Sequence, residues 1–223
     1  SVADVPVLKY VDGPHVADYI NTLTNSVVNA ISPLTNGFKD AISYGFLNPL
    51  QSLMSSSPWW TMALVLLAVA YVLGGWRPAV ITAVCEAVIL GTGLWNDTMD
   101  TLAMTLVATV LVMLFAAVLG VAMGRSRRAD LLLRPVLDAL QTIPAFVYLV
   151  PALALFASSR FTAIVAALAY ALPIATKLVA DGIRGVSPTT VEAMRSTGIT
   201  SWQMISKVQL PMAREALVLA TNQ

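Results

Sequence analysis

Long apolar runs alternate with short polar turns over most of the chain, and the runs have membrane-spanning length. A bilayer core of about 30 Å takes roughly 20 apolar residues in a helix. On that measure the pattern predicts spans near 58–75, 78–95, 98–124, 131–156 and 161–180. The first opens on Trp59 and Trp60, an aromatic pair suited to a membrane–water interface. The fourth is interrupted by Pro135, Pro144 and Pro151, and proline removes a helix hydrogen bond and bends or breaks the helix. A sixth apolar element starts at Pro211, and the twelve residues after it are too few to cross. The expected fold is an all-α polytopic membrane protein that stops inside its last element.

Residues 1–57 have a different texture. Val16, Tyr19, Ile20, Leu23, Val27, Ile31, Leu34 and Phe38 recur every three or four positions, with Asn21, Thr22, Asn25, Ser26 and Asn29 on the other side. That is the stripe of an amphipathic helix. Pro33, Gly37, Gly45 and Pro49 are expected to divide it. A helix lying on the outer membrane surface fits, and so does one packed against the bundle, since the polar face lacks the basic residues of strong lipid binders.

Basic residues set the orientation. Arg125, Arg127, Arg128 and Arg134 follow the third run and predict a cytoplasmic loop there. Alternation puts Arg77, Arg184, Arg195 and Lys207 on the same side. It puts residues 1–57, the Asp97/Asp100 turn and the turn at Ser158, Ser159 and Arg160 outside.

Composition narrows the class. Of 223 residues, 57% are hydrophobic and 11% charged, well below the roughly 25% charged of a soluble domain. A net charge of +1 gives no reason to expect nucleic acid. Cys85 is the single cysteine and His15 the single histidine, which removes disulfide frameworks, thiolate metal clusters and most imidazole chemistry. No Gly-x-x-x-x-Gly-Lys-Ser/Thr loop, Ser-His-Asp arrangement or paired-carboxylate site is present, so no catalytic or metal-binding residues are assigned. The start at Ser1, without a signal-peptide pattern, reads as part of a longer product.

Three polar or small-residue features stand within or beside the apolar runs. Glu86 lies in the second, where an ionisable group is functional, paired, or hydrated near the interface. Lys177 and Asp181 suit a local i,i+4 pair. Ala116, Gly120 and Gly124 form a small-residue ridge that permits close helix contact.

The most informative stretch follows the fifth run. It reads Glu192-Ala193-Met194, three residues, Gly198, nine residues, then Val208-Gln209-Leu210-Pro211. Helix chemistry accounts for its parts. Thr189 and Glu192 have capping-box spacing, while Ser187-Pro188 offers a competing start with proline in the first turn. Gly198 suits a left-handed stop, and Pro211 suits the start of a following membrane helix. The joint spacing resembles the EAA loop of the membrane subunits of ABC importers, with Met194 for the second Ala and Val208 for Ile. A second stretch, 134–151, is similar to the corresponding segment of permeases for glycine betaine, proline betaine and related osmoprotectants. It reads Arg134-Pro135-Val136-Leu137-Asp138-Ala139-Leu140-Gln141-Thr142-Ile143-Pro144-Ala145-Phe146-Val147-Tyr148-Leu149-Val150-Pro151, with Leu140 and Ile143 in place of two Met residues. The similarity covers roughly residues 98–223.

The resemblance implies the type I ABC importer transmembrane-domain fold. Residues 1–57 would be the N-terminal amphipathic segment, 58–97 two peripheral helices, and 98–223 the permease core, incomplete at its C-terminus. Loop 187–211 would carry a cytoplasmic coupling helix, with Glu192, Ala193, Met194, Gly198, Val208, Leu210 and Pro211 as the ATPase-docking residues. Irregular backbone at membrane depth is tolerated only where it is buried in protein or lines a watery cavity. The Pro-broken segment is therefore the expected translocation path, with Asp138, Gln141, Thr142, Pro144, Phe146, Tyr148 and Pro151. Phe146 or Tyr148 could face a quaternary ammonium through cation–π attraction, or simply pack between helices. The implied partners are an ABC ATPase dimer that brings ATP and Mg, a second permease copy, an extracytoplasmic binding protein, separate or fused, and the plasma-membrane lipid. The chain itself needs no cofactor. Two other readings stay open: a permease for an amino acid or other small solute, and an ATP-independent osmolyte channel or secondary transporter. A scaffold without transport has no support in the residues.

Overall fold

A computed structural model describes residues 35–223 together with Thr22, Ser26, Ala30 and Pro33. The predicted stripe from Val16 to Leu34 lies, apart from those single positions, outside the described residues. Among the described residues there is no strand.

The first helix, α1 (Thr35–Ser56), runs through Gly37, Gly45 and Pro49 instead of breaking there. A π-helical turn over Ser43–Leu47 immediately precedes Pro49. Widening the turn re-routes the backbone bonding next to a residue that has no N–H to give. Ile42, Leu47, Gln51 and Met54 are buried, and Phe38 meets Phe161 edge to face at 5.8 Å, so α1 packs across the bundle. It meets α2 (Trp59–Gly74) at a 110° bend.

Helices α2 and α3 (Trp76–Thr92) form an antiparallel hairpin about Gly75. Gly75 (φ 80, ψ −163) donates its N–H to the Tyr71 carbonyl at 2.8 Å, a backbone conformation that favours glycine. Gly93, left-handed at φ 76, ends α3 in the same manner.

Two long helices form the centre. They are α4 (Trp95–Arg125, 31 residues) and α7 (Arg160–Arg184, 25 residues), both long and apolar enough to cross a membrane. The small-residue ridge is their contact. Ala116 is fully buried, and Gly120 and Gly124 lie directly against Val179 and Ile183. With no side chain in the way, the two backbones come within van der Waals reach.

Between them the chain makes α5 (Arg127–Thr142), a 3-10 turn (Ala145–Tyr148) and α6 (Leu149–Phe156), bent by 105°. Only one of the three expected proline interruptions occurs. Pro144, extended at φ −56 and ψ 139, makes the break. Pro135 stays inside α5, where Asp130, Arg134, Leu137 and Asp138 hold the helix to the bundle on both sides of it. Pro151 falls in the first turn of α6, where a missing N–H leaves nothing unpaired.

After α7 come α8 (Pro188–Ser196), then one winding α9 (201–212), then α10 (Arg214–Asn222). The expectation that Pro211 opens the following helix is corrected here. Helix α9 begins ten residues earlier, at Ser201, and takes up Pro211 through a π-helical turn at Met204–Gln209. Helix α10 lies on α7, where Gly182 leaves room for Ala216 and Ala213.

Candidate functional site

Helix α8 is short, exposed and held at both ends. Pro188 occupies its first turn after an extended Ser187 (φ −51, ψ 128), whose Oγ lies 2.7 Å from Thr189 Oγ1. The Thr189/Glu192 capping box is not formed; the Ser187-Pro188 start is used, and the Thr189 hydroxyl turns to Ser187. Glu192 and Ala193 are exposed, Val191 and Met194 half-buried, and no residue of α8 is buried. The far end closes as the sequence predicts. Gly198 has φ +76 and donates its N–H to the Arg195 carbonyl at 3.0 Å.

Two residues later comes a capping box formed by Thr200 and Gln203, outside the stretch from Thr189 to Glu192 where one was expected. Thr200 Oγ1 accepts from the Gln203 amide at 3.3 Å, and Gln203 Oε1 accepts from the Thr200 amide at 2.9 Å. The Thr-x-x-Gln spacing was there to be read. Arg125 at the end of α4 donates to the Ser201 carbonyl at 3.0 Å. The start of α9 is thereby tied to the central bundle. Val208 is buried, Leu210 half-buried and Pro211 exposed, so the loop's second half faces the protein more than its first.

A ladder of charges joins α5 to α7 above α8. Asp130 accepts from Arg134 Nε at 3.1 Å and from Arg184 at 2.5 Å. Asp181 lies 3.2 Å from Arg184 and 3.5 Å from Arg134. Arg184 also donates to the Met123 carbonyl at 3.3 Å, which brings in α4. Higher up, Lys177 donates to both Asp138 and Gln141. The local Lys177–Asp181 pair gives way to these cross-helix pairs, because α5 runs antiparallel to α7 and presents the Asp138 carboxylate and the Gln141 amide oxygen to the lysine.

Four of the residues expected on a translocation path make hydrogen bonds within the chain. Asp138 and Gln141 are engaged by Lys177, and the Thr142 hydroxyl donates to the Ala139 carbonyl at 2.7 Å. Tyr148 is buried and its hydroxyl donates to the Leu140 carbonyl across the Pro144 break. Phe146 is 76% exposed, on the other side of the 3-10 turn. The two rings therefore form no common cage within this chain.

At the opposite end Arg160 donates to the buried Gln51 and borders an open polar cleft of about 470 Å³ with Asn48, Asn96 and Asp100. Among the described residues no group of three His, Cys, Asp or Glu side chains could hold a metal ion.

The model of the binding-protein-dependent transport system inner membrane component family matches residues 114–221. The chain is 31% identical, over all its length and 77% of the relative's, to the glycine betaine/carnitine transport permease protein GbuB of Listeria monocytogenes. This chain belongs to that family. Its fold is the type I ABC transmembrane fold, and it is a membrane protein. Among other relatives, the glycine betaine/proline betaine transport system permease protein ProW of Escherichia coli is 36% identical over 88% of this chain. The trimethylamine N-oxide transport system permease protein TmoV of Ruegeria pomeroyi is 38% identical over 74% of it. The chain spans 55% of the length of the first and 25% of the second. Within the family frame, the matched region takes in the C-terminal part of α4, from residue 114, and the chain after it up to residue 221, including the ladder, α8 and α9. The α2–α3 hairpin lies before it.

Proposed function

We propose that this chain is the membrane-spanning permease subunit of an ATP-driven importer for a compatible solute, glycine betaine or a related quaternary ammonium osmoprotectant. The solutes named for the relatives support the solute class: glycine betaine, proline betaine, carnitine and trimethylamine N-oxide all carry a methylated nitrogen. The observation that carries the mechanism is α8, with no buried residue and with Glu192 and Ala193 exposed, yet fixed at both ends by Pro188 and Gly198. A partner can grip such a helix, and a force on it passes into the bundle without bending it first.

In this reading α8 docks on one ATPase subunit, with Glu192, Ala193, Met194 and Gly198 forming the contact. Val208, Leu210 and Pro211 fix α9 behind it. ATP and Mg are handled by the ATPase dimer. Closing of that dimer moves α8, and the route inward is short. It runs from α8 into α7 at Arg184, from Arg184 through Asp130 to α5, and from Ser201 through Arg125 to α4. The Pro144 break then marks where the permease pivots around the substrate path. Two permease copies build that path, so that Phe146, open in one copy, would face the second. An extracytoplasmic binding protein, separate or fused, delivers the solute. The basic residues Arg125, Arg127 and Arg128 support a cytoplasmic α8, with residues 1–57 outside.

The test is uptake in proteoliposomes holding permease, ATPase and binding protein. Wild type should take up labelled glycine betaine only with ATP. Gly198→Val should lower uptake several-fold while inserting normally, because a β-branched residue resists φ +76. Glu192→Ala should retain less ATPase on co-purification. Uptake without ATP or ATPase, or full coupling in both variants, would refute the reading.

A further inference from the structure

Pro144 removes one backbone donor, and the carbonyl it orphans can be named. In an unbroken helix the amide of residue 144 would bond the carbonyl four residues back, at Leu140. Proline has no N–H, so within a membrane that oxygen needs another donor. The Ile143 amide reaches it only at 3.4 Å, beyond the usual range. The other polar side chains of this turn are taken, the Thr142 hydroxyl by the Ala139 carbonyl and Lys177 by Asp138 and Gln141. The remaining donor comes from across the break. Tyr148, 8% exposed at the end of the 3-10 turn, donates its hydroxyl to Leu140.

A hydroxyl is not equivalent to the amide it replaces. An amide belongs to its own helix and would carry the chain straight on. The Tyr148 hydroxyl stands at the tip of a side chain on the far element, so Leu140 is satisfied with α6 turned 105° from α5. Among the described residues this is the one side-chain hydrogen bond between α5 and the chain that follows Pro144. The covalent link beside it is extended at Ile143 and Pro144 (ψ 129 and 139) and has the freedom of a joint. The far end of α6 is held separately, by Phe156 edge to face on Phe161 at 5.0 Å.

We propose that Tyr148 is a positioning residue for transport: its hydroxyl, in place of the missing amide, makes the 3-10 turn and Phe146 follow α5. The role rests on the permease reading above. There α5 is carried by the Arg184–Asp130 pair, and Tyr148 hands that movement past a proline that would otherwise act as a free joint.

The test is a cycle of Tyr148→Phe and Pro144→Ala, the second returning an N–H that can reach Leu140 directly. Both are made in the full chain with Cys85→Ser and spin labels on Leu131→Cys and Leu153→Cys, exposed sites on α5 and α6. In nanodiscs the distance between the labels, read by pulsed electron resonance, reports the bend. Wild type should give one short distance, and Tyr148→Phe should add a longer population. Pro144→Ala should give the longer distance with or without Tyr148→Phe. That comparison keeps the test open should Tyr148→Phe alone insert poorly. In proteoliposomes with ATPase and binding protein, Tyr148→Phe should lower glycine betaine uptake about 5-fold while ATP hydrolysis continues. The ATP consumed per solute then rises, which a general loss of folded protein would not produce. An unchanged distance or an unchanged ATP-per-solute ratio in Tyr148→Phe would overturn the proposal. So would an equal effect of Tyr148→Phe in the Pro144→Ala background, since the hydroxyl would then serve something other than Leu140. A wild type that takes up nothing would sink the permease reading, and the role in transport with it, whereas the distance cycle needs neither ATPase nor solute.

Discussion

Replacing Gly120 by alanine tests the central packing of the bundle with a single carbon atom. A Cβ at Gly120 would stand 2.6 Å from Val179 Cβ, 2.7 Å from Val179 Cγ1 and 2.9 Å from the Thr176 carbonyl oxygen. Ordinary contact begins at 3.4 Å, so the nearest pair is short by about 0.8 Å. Neither obstacle can swing aside. Val179 and Thr176 are both fully buried, and a Cβ and a carbonyl oxygen move only with their backbone. Helices α4 and α7 must therefore separate, which also loosens the contacts of Ala116 and Gly124. Overpacking of a tight core costs about 1–3 kcal/mol, and the rigidity of both obstacles puts this site at the upper end. Alanine returns up to about 1 kcal/mol as the better helix former. The expected net loss is about 2 kcal/mol. Gly91→Ala is the control, because a Cβ there meets nothing within 4 Å and should be neutral or slightly stabilising. Titration with a denaturing detergent in mixed micelles, followed by far-UV circular dichroism, measures both. A Gly120→Ala midpoint at or above that of wild type would refute the close-packed α4–α7 interface.

Ala157, between α6 and α7, has φ 55 and ψ −168, a region otherwise left to glycine. Ala157→Gly should raise the unfolding midpoint, the relief of strain exceeding the added chain entropy by about 1 kcal/mol; a lowered midpoint in the same titration would count against that backbone. Lys177→Met removes the shared partner of Asp138 and Gln141. With side-chain exposures of 18% and 56% for Lys177 and Asp138, the pair should show a double-mutant coupling with Asp138→Asn between the ~1 kcal/mol of exposed pairs and the ~3 kcal/mol of buried ones. Strict additivity would show that the two do not interact.

Local signals were legible, and they were legible because each is satisfied within a few residues. The apolar runs give the cores of α2, α3, α4 and α7, and Gly198 gives the left-handed stop of α8. The ridge of Ala116, Gly120 and Gly124 named the face of α4 that touches another helix, though not which helix. Where local rules competed, sequence order did not decide. Thr189 had the spacing for a capping box, yet Ser187-Pro188 started α8, since a proline in the first turn fixes φ whatever the hydroxyls do. Prolines were misread for a related reason. Whether Pro49, Pro135 or Pro211 ends a helix depends on what clamps the turns around it, and widened turns before Pro49 and Pro211 keep those helices running.

Charged side chains were least legible, because their partners lie on other helices. Lys177 and Asp181 have pairing distance along one helix, but the pairing actually made is set by α5 returning antiparallel beside α7. That register could not be read from spacing, since it follows from the 105° bend at Pro144, which brings Tyr148 back to Leu140 and leaves α5 lying along α7. One break thus determines both where Tyr148 is buried and which charges meet. It follows that the Asp130–Arg134–Asp181–Arg184 cluster and the Pro144 bend are parts of one mechanical unit. A movement entering at α8 meets the cluster within four residues, at Arg184, and cannot displace α7 without either carrying α5 along or breaking ion pairs at both Asp130 and Asp181. Carrying α5 along is the cheaper course, because breaking them leaves several partly buried charges unpaired at once.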